Sequence, residues 1–249
     1  MGLPSAREIE LAGLKAWPGL ESEHDGRWVR RAAGGYTKRA NSVQSLDPAD
    51  DRDATARLAA AEAWFRVRRL PPVFRVTPLA GPSTRAALEA AGWAAQDHSR
   101  VMGLPLAPAE ADRRGEVLPP DGRAWLESQR LLQGYDEARR DRLLAIVGAL
   151  SIPAAGIVVR GPDGGIVASA LFGVADGIAC AGNVVTARGE RGKGYGKALM
   201  RTGLAWASGA GAAYAALNVA ANNGAALALY SSLGYAPLYD YHYCMPGSL

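Results

Sequence analysis

The residues best suited to chemistry lie together in 188-RGERGKGYGKALM-200. Gly192, Gly194 and Gly196 alternate among Arg188, Arg191, Lys193 and Lys197, directly ahead of a run of helical character. Unpaired backbone N–H groups at a helix start, reinforced by the helix dipole, make a ready anion site. Glycines let a phosphate approach the backbone with no side chain in the way. The stretch therefore points to a phosphate cradle, with a cationic surface loop as the plainer alternative. Two familiar phosphate templates fail. The P-loop pattern GxxxxGK[ST] is absent. A dinucleotide fingerprint would run Gly192, Gly194, Lys197, without its third glycine and without an acidic residue about 20 positions on.

The 249 residues suffice for one large domain or two small ones. A hydrophobic content of 49% with 21% charged residues is that of a globular chain, and a net charge of +4 suits anionic ligands. It is too small to argue for nucleic acid, which needs basic residues massed on one face. Cys180 and Cys244 form no CxxC or Cys/His metal pattern, so a reduced protein with two core thiols and no metal is expected. The N-terminus lacks the basic start and apolar core of a signal peptide, and no apolar run of about 18 residues occurs. These features predict a cytoplasmic protein with no membrane span, compatible with a monomer or a homodimer.

Periodicity and turn residues predict a helix over 5–16 and strands over 28–33 and 38–45, the latter two joined at Gly34-Gly35. The acidic 46–53 segment reads as a helix start, followed by a helix over 54–69, a strand over 73–76, a helix over 83–91 and a strand over 95–104. Residues 105–121 are polar and bracketed by prolines, as a linker would be. Beyond them come helices over 123–132 and 137–150, a hairpin of strands over 157–160 and 166–174 turned by GPDGG, and a strand over 178–186. After the glycine loop follow a helix over 196–207, a strand over 214–219, a helix over 225–233 and a strand over 239–245.

Shifting the first half by 142 residues brings the two halves into ungapped register: Asn41 meets Asn183, Trp64 meets Trp206, and Gly92 meets Gly234. A duplicated unit follows. The register places 46-LDPADDRDA-54 opposite 188-RGERGKGYG-196, so one copy offers carboxylates where the other offers glycines and positive charge. Only the C-terminal copy should welcome a phosphate.

The run Arg191-Gly192-Lys193-Gly194-Tyr195-Gly196 matches [RQ]-x-x-G-x-[GA], and 223-NGAALALYSSLGY-235 matches N-x-x-A-x-x-L-Y-x-x-x-G-[FY]. In these two motifs the chain resembles the GCN5-related N-acetyltransferases, over about residues 151–245; Thr186 and Arg188 depart from the usual valine and proline of the preceding strand end. The first-half stretch 34-GGYTKRANSVQ-44 is also similar to one found in some members that carry a front domain without the glycine loop. Its polar residues can otherwise be read as a solvent-facing strand.

The resemblance implies an α/β (α+β) fold of two such units, each a mixed, mostly antiparallel sheet flanked by helices. These would be a degenerate unit over 1–106, a linker over 107–121 and a catalytic unit over 122–249. It implies acetyl transfer from acetyl-CoA to an amine, small or peptidic, by direct attack. Val184, Val185 and Thr186 would contact pantetheine and acetyl, with an N–H near Val185 polarising the thioester carbonyl. Gly192, Lys193, Gly194, Tyr195, Gly196 and Lys197 would form the pyrophosphate cradle. Arg191 would contact the ligand or brace the loop, and Asn223 would contact CoA or cap the following helix. Tyr230 would donate a proton to the leaving thiolate; by periodicity alone it is a packed aromatic on an apolar helix face.

The general base is the gap. The strand 178-IACAGNVVTA-187 has no Asp or Glu, which leaves another element, a water relay or an amine that binds neutral. Asp240 and His242 on the last strand are candidates, each also readable as a surface or structural residue; His24 and His98 sit in no motif. The missing carboxylate keeps open a non-catalytic CoA-binding or regulatory module, and the cradle alone a nucleotide-binding protein.

Overall fold

The computed structural model describes residues 2–247. In chain order its elements are α1 (Ala6–Ala16), β1 (Glu21–Asp25), β2 (Trp28–Ala32), β3 (Val43–Ser45), α2 (Ala54–Val67), β4 (Phe74–Val76), α3 (Pro82–Ala90) and β5 (Trp93–Pro105). Then come β6 (Gly115–Leu118), α4 (Arg123–Gln133), α5 (Glu137–Gly148), β7 (Ala154–Arg160), β8 (Ile166–Ala175), β9 (Ile178–Thr186), α6 (Tyr195–Gly209), β10 (Tyr214–Ala220), α7 (Gly224–Ser231) and β11 (Ala236–Pro246). Among the described residues no helix is long and apolar enough to cross a membrane.

All eleven strands form one sheet, ordered β1-β2-β3-β4-β11-β5-β10-β9-β8-β7-β6. Among the described residues only β3–β4 and β9–β10 pair in parallel, so the mixed, mostly antiparallel character with flanking helices is as expected, in one continuous sheet rather than one per unit. Both faces are covered. Alternate residues of β8 show why: Ala168, Ala170 and Phe172 turn towards α6, while Leu171 turns towards α4 and α5. The α6 helix can lie flat on β8 because Gly203 has no side chain; a Cβ there would fall 2.2 Å from the buried Phe172 ring. The α2 and α3 helices pack on Trp28, Val43 and Phe74, and α1 packs by Ile9 and Ala12 on Val101, Tyr214 and Tyr241.

The two halves trade their last strands. β5, which closes the first half in sequence, lies against β10 of the second, and β11 lies against β4 of the first. The expected boundary near residues 107–121 therefore separates segments of chain whose sheets are interlocked, and that segment itself contributes β6, paired with β7.

The 142-residue offset holds from α2 onward, where α3 starts at Pro82 and α7 at Gly224. Ahead of α2 it fails. Cys180 pairs with Ala216 in the second half, but Phe74 pairs with Val43 rather than with Lys38. The expected 38–45 strand is instead a short 3-10 turn over Lys38–Ala40 followed by β3. Asn41 forces the turn: its Oδ1 accepts from Ala33 N–H (2.7 Å) and Gly35 N–H (3.0 Å), and its Nδ2 donates to Tyr36 O (2.9 Å) and Thr37 O (2.8 Å). Asn41, Ser42 and Gln44 are buried, which corrects the solvent-facing alternative for this stretch.

The acidic 46–53 segment is likewise a loop. Asp51 accepts from the N–H groups of Ser83 (2.6 Å) and Thr84 (2.8 Å) at the start of α3, and Asp50 from Arg27 N–H (2.6 Å). In the first half a carboxylate of the chain itself occupies a helix N-terminus.

Candidate active site

The glycine loop meets the sheet where the sheet opens. β9 and β10 pair from Ile178 and Tyr214 as far as Ala181 and Leu217, and there their ladder stops. β9 continues to Thr186 on β8, and β10 continues to Ala220 on β5. A bulge bends β9 at this point: Leu171 faces Gly182 and Ser169 faces Val185, with Asn183 in the left-handed region at φ +51°. Gln129 on α4 holds the bend, its Nε2 donating to Asn183 O (3.0 Å) and Ser169 Oγ (2.9 Å).

Past the bulge, Ala187 N–H donates to Val167 O (2.8 Å). Antiparallel alternation then turns the peptide groups of Val185 towards β8 and those of Val184 and Thr186 towards the open edge. Any carbonyl-polarising N–H on that edge belongs to Val184 or Thr186, the neighbours of Val185.

The cradle itself is built from backbone. Glu190 N–H donates to Ala187 O and Ala198 N–H to Gly194 O, but among the described residues the N–H groups from Arg191 to Lys197 have no protein acceptor. Gly192 and Gly194 carry φ of +78° and +83°, which any L side chain would strain. Gly196 is required for a different reason. A Cβ there would lie 3.2 Å from Leu229 Cδ2 and 3.5 Å from Thr186 Oγ1, so the first turn of α6, the end of β9 and α7 converge on this residue.

The loop's side chains divide by partner. Arg191 Nε donates to Thr186 O at a long 3.4 Å, a loop brace, and Lys193 pairs with Glu190 (3.0 Å). Half-buried Tyr195 lies under the Arg114 guanidinium, 5.9 Å from ring centroid, and Arg114 is itself held by Asp112 (3.0 Å). Sequence reasoning missed Arg114 because it lies in the segment read as linker. Asn223 caps α7, its Oδ1 accepting from Ala226 N–H at 3.1 Å.

Tyr230 is buried on α7, one residue beyond the Leu229 contact to Gly196, with the Tyr235 ring 5.9 Å away. Burial alone pushes its phenol up to about 12. The group is therefore neutral at any ordinary pH and able to donate a hydrogen bond.

Neither candidate base faces the gap. Asp240 and His242 project from the opposite face of β11 to Tyr239, Tyr241 and Tyr243; Asp240 is exposed and tied to Arg100 (2.8 Å), and His242 stacks on His98 (5.2 Å). Asp240→Asn and His242→Gln are each expected to hold kcat within about threefold of the parent, measured at saturating donor and acceptor, because solvated or remote side chains contribute little.

A carboxylate in the cavity beside Gly182 and Asn218 is one that sequence reasoning missed. Glu10, on α1, lies fully inside the protein beside Arg75, with Nη2 to Oε1 at 2.8 Å and Nε to Oε2 at 3.1 Å. Tyr239 Oη (2.9 Å) and Gln44 Nε2 (3.1 Å) donate to the same carboxylate. Arg75 and these donors outweigh burial and hold it below the usual carboxylate range, so it is a poor proton acceptor. No signal in the sequence marks a lone Glu between Ile9 and Leu11 as an ion-paired residue. Cys180 also borders this region, but burial pushes its thiol up to about 12, which removes it as a nucleophile.

The site thus combines an amide cradle with an open strand edge, a set suited to holding an anionic, extended ligand, and the buried phenol of Tyr230 follows Leu229, which contacts Gly196. A protein-family profile described as "Probable histone acetyltransferase Rv0428c C-terminal" matches residues 4–244. The chain is 26% identical over 245 residues to a Bacillus subtilis protein named "Uncharacterized N-acetyltransferase YobR", covering 95% of this chain and 97% of that one. In structure it resembles a GCN5-related N-acetyltransferase from Kribbella flavida, with TM-score 0.74 at 17% identity over 99% of this chain and 98% of the other. It also resembles a tandem GNAT protein from the clavulanic acid biosynthesis pathway, with TM-score 0.65 at 15% identity over 99% and 89%.

Proposed function

The chain belongs to this family, within the GCN5-related N-acetyltransferases, and from that premise we propose that it moves acetyl from acetyl-CoA to an amine by direct attack. The observation that carries the proposal is the gap between β9 and β10, which ends at the unpaired amides of the glycine loop. An extended pantetheine could pair with Val184 and Thr186 as an added strand would. Its pyrophosphate would then reach the amides of Gly192 to Lys197 and the start of α6.

In this scheme the N–H of Val184 or Thr186 stabilises the oxyanion that forms on the thioester carbonyl. The amine nitrogen forms the new bond to carbon, and the carbon–sulfur bond breaks. Tyr230 supplies a proton to the departing thiolate, and the proton lost from nitrogen passes to water. No carboxylate near the opening is free to take it. The thiols of Cys180 and Cys244, both raised by burial, leave no role for a covalent acyl intermediate.

The first half has kept the scaffold and replaced the cradle. Gly192 and Gly194 have no counterpart in 46-LDPADDRDA-54, whose Asp51 is tied up in capping α3, the counterpart of α7. Supporting one donor site in the second half, it would shape the acceptor side with α1 and the 33–41 loop.

The test is release of free CoA thiol from acetyl-CoA across a panel of amines. Turnover with at least one amine, above the rate without acceptor, is the expected result. Tight CoA binding with no turnover for any acceptor would instead indicate a binding module.

A further inference from the structure

A cleft of about 330 Å³ opens between the 37–39 turn, Asn218 on β10 and Tyr241 and Tyr243 on β11. It shares the lining residues Arg39 and Asn218 with a narrow cavity of about 30 Å³ that is also lined by Arg31, Cys180 and Gly182. The inner cavity therefore ends against β9 at the residue where β9 and β10 part. One water needs roughly 10–15 Å³ by this measure, so the inner cavity has room for about two oxygen-sized groups.

The charges around this space do not cancel. Lys38 is paired with Asp97 (2.6 Å) and Arg75 with Glu10 (2.8 Å). Among the described residues Arg31 and Arg39 have no carboxylate partner. Arg31 is only 3% exposed; its Nη1 donates to Trp17 O (2.8 Å) and its Nη2 to Arg39 O, while its Nε is buried without any acceptor. Its environment is strained electrostatically: burial first, then Arg75, push the guanidinium down to about 10. Arg39 stacks on the Trp17 ring at 4.9 Å, and both its Nη atoms lie 3.6 Å from the point where a Cβ on Gly182 would sit. A buried guanidinium nitrogen with no acceptor is a costly arrangement that a bound anion would relieve.

Resting on the N-acetyltransferase reading of the same site, we infer that the acceptor is an amine that also carries a carboxylate, as an amino acid does. The carboxylate sits between Arg39 and Arg31, and the amine is presented to the open edge of β9. Guanidinium forks match the two oxygens of a carboxylate, and the inner cavity accommodates a group of that size. The same surplus of positive charge disfavours an ammonium, so it helps the amine bind in its neutral, nucleophilic form. That offsets the lack of a free carboxylate base near the gap.

The experiment measures binding of the twenty amino acids and their carboxamides to CoA-saturated protein by calorimetry, which needs no turnover, alongside thiol release from acetyl-CoA. At least one acid is expected to bind about 30-fold more tightly than its amide, the weight of a charge-assisted bidentate contact. Arg39→Gln should erase that preference and Arg39→Lys should keep part of it, with CoA affinity the same in all three proteins. Acids and amides binding within threefold of each other, no ligand binding, or a preference that survives in Arg39→Gln would each overturn the inference. Acid-selective binding without thiol release would support the carboxylate site at Arg39 and Arg31 and sink the transfer reaction. Transfer with no acid preference would do the reverse.

Discussion

Gly194→Val is expected to weaken CoA binding by about 10²- to 10³-fold while leaving the protein folded. The residue sits at φ +83° as the N-cap of α6, and a β-branched side chain there costs roughly 1–2 kcal/mol in backbone strain. Relief of that strain turns the neighbouring amides away, which forfeits at least one charge-assisted hydrogen bond to a phosphate, about 1.5–3 kcal/mol. Together these span about 2.5–5 kcal/mol, whose middle corresponds to about 10²- to 10³-fold at 1.4 kcal/mol per tenfold in affinity. The loop is exposed, and a Cβ at Gly194 would meet only Arg114 Nη1 at 3.9 Å, so the fold has little reason to suffer. Calorimetric titration with CoA, with the melting temperature as control, decides it. Unchanged affinity would mean that the loop is a cationic surface turn after all. The same titration with ATP separates a CoA site from a general nucleotide site, since ATP should bind far more weakly to the parent protein.

The contrast between the halves shows what was legible in the sequence. The glycine loop, the strand before it and the helix after it were readable because each rests on local chemistry: positive φ at Gly192 and Gly194, a branched run over 184–186, an Asn cap at 223. The duplication was readable from α2 onward, where α3 and α7 keep their spacing. It failed ahead of α2 because Asn41 organises its own loop through four hydrogen bonds, which no periodicity announces.

The exchange of β5 and β11 was also out of reach. Each strand has ordinary alternation, and either edge could have accepted it; long-range pairing chose between them. The acceptor side was the least legible. Glu10, Arg31, Arg39 and Arg75 are scattered over 65 residues of separation between Glu10 and Arg75, and only the packing of α1 against the sheet brings them to one cleft.

Tyr230→Phe should lower kcat about 10²-fold and leave the KM for acetyl-CoA within threefold. General acids contribute roughly 10²- to 10⁴-fold, and the lower end applies here because a phenol near 12 is a weaker acid than the thiol it serves. Its value as a donor is that it stays protonated. The variant keeps the ring, so the contacts with Tyr235 and with the core beneath α7 survive, and a fall in melting temperature is not expected.

The pH profile adds an independent check. With the Tyr230 phenol pushed up to about 12 by burial and Glu10 held as a paired anion, neither group titrates between pH 6 and 10. The rate in the parent should rise with pH as the acceptor amine loses its proton, then level off, with no alkaline fall from the phenol. Tyr230→Phe should lower that plateau without moving the rise. A rise that shifts between acceptors of different basicity fits an amine that sheds its proton to water. A rise fixed near pH 6 to 7 for every acceptor would place a protein base in the site and overturn the scheme in which none is needed.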